Sequence, residues 1–268
     1  MARHKVLRSP RLVRKEQKKK VRKTLVVTCL CSLVLALVLY GFSRPQFIIS
    51  RIEVSGASRV SEASVVELVK RGMEGSYLGF IPKAHSLLFP KADLSYSLTR
   101  EFPTLSGVSL SLSNLASLHV AVHEREPRAK WCSGAFGCFL IDETGFAFME
   151  SLGEEEGQYY RLEKSATSSP LAREVIDTGA LSGIISFLTQ LEKMEFDPEK
   201  AVLVNEQELE VVLSGGARLL LRNTDYARSL VRLQTLLRED GVLPGRSDLS
   251  SVSYIDLRYG NKIYFQPR

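Results

Sequence analysis

The sequence predicts an α+β protein built from a single N-terminal transmembrane helix, a β-α-α-β-β domain and a mainly antiparallel β domain with flanking helices. Three observations predict it. A charge-free apolar run at residues 25–42 follows a basic tail. Two helical stripes and two alternating strands lie between residues 47 and 124. From residue 125 onward, turn residues separate short β-patterned runs and two amphipathic stretches. At 268 residues and 44% hydrophobic, the chain is too apolar for disorder and long enough for two modest domains.

The net charge of +6 is unevenly placed. Residues 1–24 hold eleven Lys/Arg and one acid, Glu16, which leaves 25 bases against 29 acids elsewhere. The body is mildly acidic, so a basic nucleic-acid-reading domain is excluded there. The tail's charge serves as an orientation signal and is attracted to anionic lipid.

Residues 25–42 (LVVTCLCSLVLALVLYGF) carry no charge, and eleven of the 18 are Leu, Val or Phe. Each of those favours the bilayer centre by roughly 0.3–0.6 kcal/mol, and the run is about 27 Å long as a helix. A cleaved signal peptide has a shorter core and a small-residue cleavage site, unlike Tyr40-Gly41-Phe42-Ser43-Arg44-Pro45. The expectation is an uncleaved span over 25–43, with the tail cytoplasmic and residues beyond it outside.

Residues 47–54 read as a strand ended by Ser55-Gly56. Val65, Val66, Leu68 and Val69 form a helical stripe that Ser61 or Ser64 can cap and Gly72 closes. Residues 76–90 are a loop containing two prolines and His85. Leu94, Leu98 and Phe102 mark a second helix that stops before Pro103. Val108, Leu110 and Leu112, then Leu118, Val120 and Val122, alternate with polar residues in two strands joined by a turn at 114–117. This order predicts a three-stranded sheet covered on one face by two helices. The order, and the opening Phe47-Ile49-Ile52-Val54-Gly56 just after the apolar run, resemble a POTRA domain. The resemblance implies a protein-docking module over residues 47–124, with the strand after the helices as its docking surface.

In the second part, residues 125–268, Pro127 sits where the chain can change direction, and Glu143-Thr144-Gly145 is a tight turn between two strands. Leu181, Ile184, Ile185, Leu188 and Leu191 form a helical stripe with Asp177 or Thr178 as cap. Residues 209–213 and 218–221 form a hairpin, 225–237 a helix, and 253–259 and 262–265 two strands joined at Gly260-Asn261. The block Glu124-Arg125-Glu126-Pro127-Arg128-Ala129-Lys130-Trp131, the run Leu140-Ile141-Asp142 with Gly145 and Phe148, and the ending Ile255-Asp256-Leu257-Arg258-Tyr259 with Asn261 resemble the cell-division protein family FtsQ/DivIB. Residues 159–171 remain unplaced.

That resemblance implies a non-catalytic scaffold at the bacterial cytoplasmic membrane, expected at the division septum. It would recruit FtsB and FtsL-like proteins and so influence septal cell-wall synthesis. It also implies FtsB contact at the closing strands, which makes Tyr254, Leu257, Arg258, Tyr259, Lys262, Ile263 and Tyr264 the partner-binding candidates. A strand late in a sheet is often an edge with unpaired backbone groups, and Tyr and Arg dominate interface energies. Alternate members such as Ile255 and Leu257 compete for a core role. A POTRA-containing membrane-assembly or secretion component is the alternative, but it would need further repeats or a long barrel. A membrane-tethered cell-wall enzyme is a third reading.

No catalytic motif, cofactor motif or small-molecule substrate site is legible. His119 and His123 share a strand face but have no third metal ligand at useful spacing. Asp142, Glu143, Glu210 and Asp256 read as solvated turn and strand residues. Cys132 and Cys138 are expected outside the cytoplasm, where a disulfide across their short loop is favoured over two free thiols and contributes at most about 2–3 kcal/mol.

Overall fold

The computed structural model describes residues 10–42, 44–77, 79, 81–153, 157–238, 249 and 251–268, without the side chains of 10–16, 35, 38, 39 and 42. The first nine residues of the basic tail, with His4, and Ser43 at the expected end of the span lie outside the described residues. The protein is α+β, with a large mainly antiparallel sheet and five helices among the described residues. It divides into two compact units. One holds residues up to Ser55, Ser61–Leu98 and Val108–Ala121; the other holds Gly56–Val60, Thr99–Gly107 and Val122–Arg268.

In the first unit, helix α1 (Pro10–Phe42) begins within the tail rather than at residue 25. Pro10 suits a first helical position, and the Lys, Arg and Gln residues that follow are good helix formers with no Gly or Pro among them. Among the described residues, no helix is long and apolar enough to cross a membrane. The strand expected over 47–54 is shorter. Pro45–Phe47 is a 3-10 turn, which suits the fixed φ of Pro45, and β1 covers Arg51–Ser55.

Helix α2 (Glu62–Gly72) buries Val65 and Val69. Ser61 occupies the cap position without a side-chain capping bond, and the cap at the other end is Met73. The 76–90 loop contains a small ladder, β2 (Ser76–Tyr77) with β3 (Ile81–Pro82). Helix α3 (Lys91–Glu101) buries Leu94 and Leu98. Strands β4 (Leu105–Asn114) and β5 (Ser117–Glu124) follow, and the sheet order is β1-β5-β4 with β1 parallel to β5. Leu118, Val120 and Val122 are buried, as their alternation predicts.

The second unit is organised by a ten-stranded sheet. Its strands are β6 (Ala129–Ser133), β7 (Gly137–Ile141), β8 (Phe146–Glu150), β9 (Arg161–Glu163), β10 (Arg173–Glu174), β11 (Pro198–Leu203), β12 (Glu208–Leu213), β13 (Arg218–Arg222), β14 (Val252–Asp256) and β15 (Tyr264–Pro267). Their order is β10-β8-β7-β6-β9-β11-β12-β13-β14-β15. Hairpins make most neighbours antiparallel, but β9 is parallel to both β6 and β11, and β13 is parallel to β14. The unplaced stretch at 159–171 therefore supplies the strand that joins two halves of the sheet.

Helix α4 (Thr178–Lys193) is capped by Asp177, whose carboxylate accepts the Gly179 and Ala180 N–H groups. Its stripe of Leu181, Ile184, Leu188 and Leu191 is buried with Trp131, Phe139, Val211 and Leu219 in one core. Helix α5 (Tyr226–Leu236) adds Leu233 and Leu236 to that core. The crossover through α5 is what makes β14 parallel to β13.

Candidate functional site

The block at 124–148 is built around buried charge. Glu124 accepts the N–H groups of Ser58, Arg59 and Val60 at 2.7–3.0 Å and the Ser58 hydroxyl at 2.9 Å. Burial alone would raise its pKa from the ordinary 4.5, but the three N–H groups and the hydroxyl bring it down to about 2. Arg125 pairs with Asp142, donates from Nε to the Pro103 carbonyl at 3.1 Å, and lies 4.1 Å from the Phe146 ring centroid. Asp142 also accepts the Thr144 N–H and hydroxyl and the Phe146 N–H. Burial pushes its pKa up, and the Thr144, Phe146 and Arg125 contacts outweigh that and hold it low.

Asp142 is therefore a buried anion with its acceptors engaged, and the expectation of a solvated turn acid is corrected. The turn itself requires glycine: Gly145 has φ +80°, and a Cβ there would lie 1.9 Å from the Ile176 carbonyl oxygen.

The closing strands form a second cluster. Among the described residues β15 is the outermost strand of the sheet, paired on one side by β14 through Tyr254↔Gln266, Ile255↔Phe265 and Asp256↔Tyr264. Tyr259, Lys262 and Tyr264 are exposed, while Tyr254 and Arg258 are half-buried. The Tyr259 and Tyr264 rings meet edge-to-face at 5.4 Å, and the Arg258 guanidinium lies 5.8 Å from the Tyr259 ring centroid.

Leu257 is corrected: its side chain is fully buried, its N–H bonds to the Leu220 carbonyl and its carbonyl accepts from Arg232, so it is a core residue. Ile263 is half-buried and packs against the same core. Arg258 is fixed by Asp256 through two guanidinium nitrogens and by Glu208 at 2.6 Å. Its proton is held more tightly than usual, first through the Asp256 bonds. Asp256 is buried too; burial raises its pKa and Arg258 outweighs that, so the solvated reading is corrected here as well.

Cys132 and Cys138 face each other across β6 and β7 and are joined by a disulfide. His119 lies 3.1 Å from the Ser55 hydroxyl, and His123 is exposed. Among the described residues, no group of three or more His, Cys, Asp or Glu could hold a metal ion.

A search of curated proteins finds no match to the chain. Residues 129–258 match the family model described as Cell division protein FtsQ/DivIB, C-terminal. The match begins at β6 and ends at Arg258, so it takes in the disulfide hairpin, the core of the second unit and β14. Residues 129–258 thus form a domain of the FtsQ/DivIB family of cell division proteins.

Proposed function

We propose that this protein is a membrane-anchored, non-catalytic scaffold that gathers other division proteins, FtsB and FtsL-like chains, outside the cytoplasmic membrane and so influences septal wall synthesis. The family is one of non-catalytic division proteins, which supports the scaffold role. The observation that carries the docking part is the position of β15. One flank pairs with β14, and among the described residues the other is the open margin of the sheet, where an extended segment can add a strand. Tyr264 lies on β15 itself, and the exposed Tyr259, whose ring meets Tyr264, and Lys262 lie in the link between β14 and β15, while Arg258 is turned inward to Glu208 on β12.

The anchor is read from the sequence: 25–42 is charge-free and follows a basic tail, which places the N-terminus inside. Tyr40 and Arg44 support an exit at that point. The Arg44 guanidinium donates to the Tyr40 hydroxyl at 2.7 Å, a pairing suited to the headgroup region. The β1-α2-α3-β4-β5 order supports a POTRA domain over 47–124, with β4, an edge of its sheet, as a second docking strand.

Co-purification from detergent extracts tests the reading. Tyr259→Ala is expected to reduce recovery of FtsB strongly while leaving the melting temperature nearly unchanged, because the ring is exposed. Undiminished recovery rules out this margin as the docking site.

A further inference from the structure

We infer that the loop at 83–91 is a second membrane contact, in which Leu87 and Leu88 enter the outer interface of the same bilayer that α1 enters. The inference rests on the anchor proposed above. Leu87 is 60% exposed and Leu88 42% exposed, and the two are adjacent on one loop. Lys83 and Lys91 bracket them, so the segment reads Lys-Ala-His-Ser-Leu-Leu-Phe-Pro-Lys, an apolar tip between two cations. That arrangement suits an interface of acyl chains below anionic headgroups.

The backbone fixes where this tip lies. The Ser86 N–H bonds to the Phe47 carbonyl at 2.7 Å, the Ile49 N–H bonds to the Ala84 carbonyl at 2.9 Å, and Ile48 bridges His85. Phe47 stacks on His85, whose buried ring accepts the Leu87 N–H at 3.3 Å through Nδ1. The loop is thus bonded to residues 47–49, and Phe47 follows the end of α1 at Phe42 by five positions. Five residues reach at most about 18 Å even when fully extended. A tip held that close to the exit point has the bilayer surface within range, and insertion covers the two leucines without any further partner.

Full-length protein reconstituted into phosphatidylethanolamine/phosphatidylglycerol vesicles tests this with bromine-labelled acyl chains as quencher. The one native tryptophan, Trp131, is 2% exposed in the core and gives a constant background. Leu88→Trp is expected to emit at shorter wavelength in vesicles than in detergent-free buffer after proteolytic release, and to be quenched by the brominated lipid. Leu152→Trp, at an 80% exposed site in the second unit, is expected to show neither change.

Val34→Trp reports on the anchor separately. If Val34→Trp is quenched and Leu88→Trp is not, the loop contact is overturned and the anchor stands; if neither is quenched, the anchor reading fails first. An indole at position 88 that shifts only when other division proteins are added also overturns the inference, because the leucines then face a protein.

Discussion

A carboxylate that receives three backbone N–H groups gives up its proton far below the ordinary range, and Glu124 does so at about 2 against 4.5. The folded pKa lies below the unfolded one, so this stabilisation is complete above about pH 4.5 and is lost as the pH falls through 2. The difference corresponds to about 3 kcal/mol at neutral pH. Glu124→Gln is expected to lower the unfolding free energy by about 2–3 kcal/mol at pH 7, with the gap narrowing toward pH 2 in urea titrations. An equal loss at both ends of that range would mean that side-chain shape and not charge sets the effect.

Arg125→Ala strands the buried Asp142 and is expected to cost about 3–5 kcal/mol, while Arg125→Ala with Asp142→Asn recovers part of it. The motif block around these residues was plain in the sequence, but its physical basis was not. An acid in a turn reads as solvated, and neither Arg125, 17 positions before Asp142, nor the N–H groups 64–66 positions before Glu124 are visible to a local reading.

At the scale of elements, the tight turn between β7 and β8 separates two uses of glycine. Gly145→Ala must strain φ and meet a carbonyl oxygen, with an expected loss of about 2–4 kcal/mol in thermal unfolding. Gly153→Ala also has positive φ but meets nothing within 4 Å among the described residues, so its expected loss is about 1 kcal/mol. Comparable melts for the two variants would remove the Ile176 contact from the account.

The helices were legible because periodic stripes and a good cap speak locally: Asp177 caps α4, which buries the predicted leucines and isoleucines. Strand β9 was not legible. Three residues are too few to show alternation, and its parallel pairing joins segments from distant parts of the chain. The edge position of β15 was anticipated from its lateness in the sequence. The burial of Leu257 depended on the register with β13 and could only be weighed as a competing role.

For the whole molecule, a fluorescent fusion in dividing cells is expected to form a ring at midcell, and uniform membrane fluorescence would contradict the proposed division role. The large sheet is completed late in the chain. Strand β13 is made by residue 222, yet its outer neighbour β14 arrives only after the chain has passed through α5 and begun again at Val252. Until then Arg218–Arg222 is the outermost ribbon, with its own surface chemistry and none of the tyrosines. A chain cut before Val252 would therefore end its sheet on Arg218–Arg222 and carry none of the tyrosines proposed for docking.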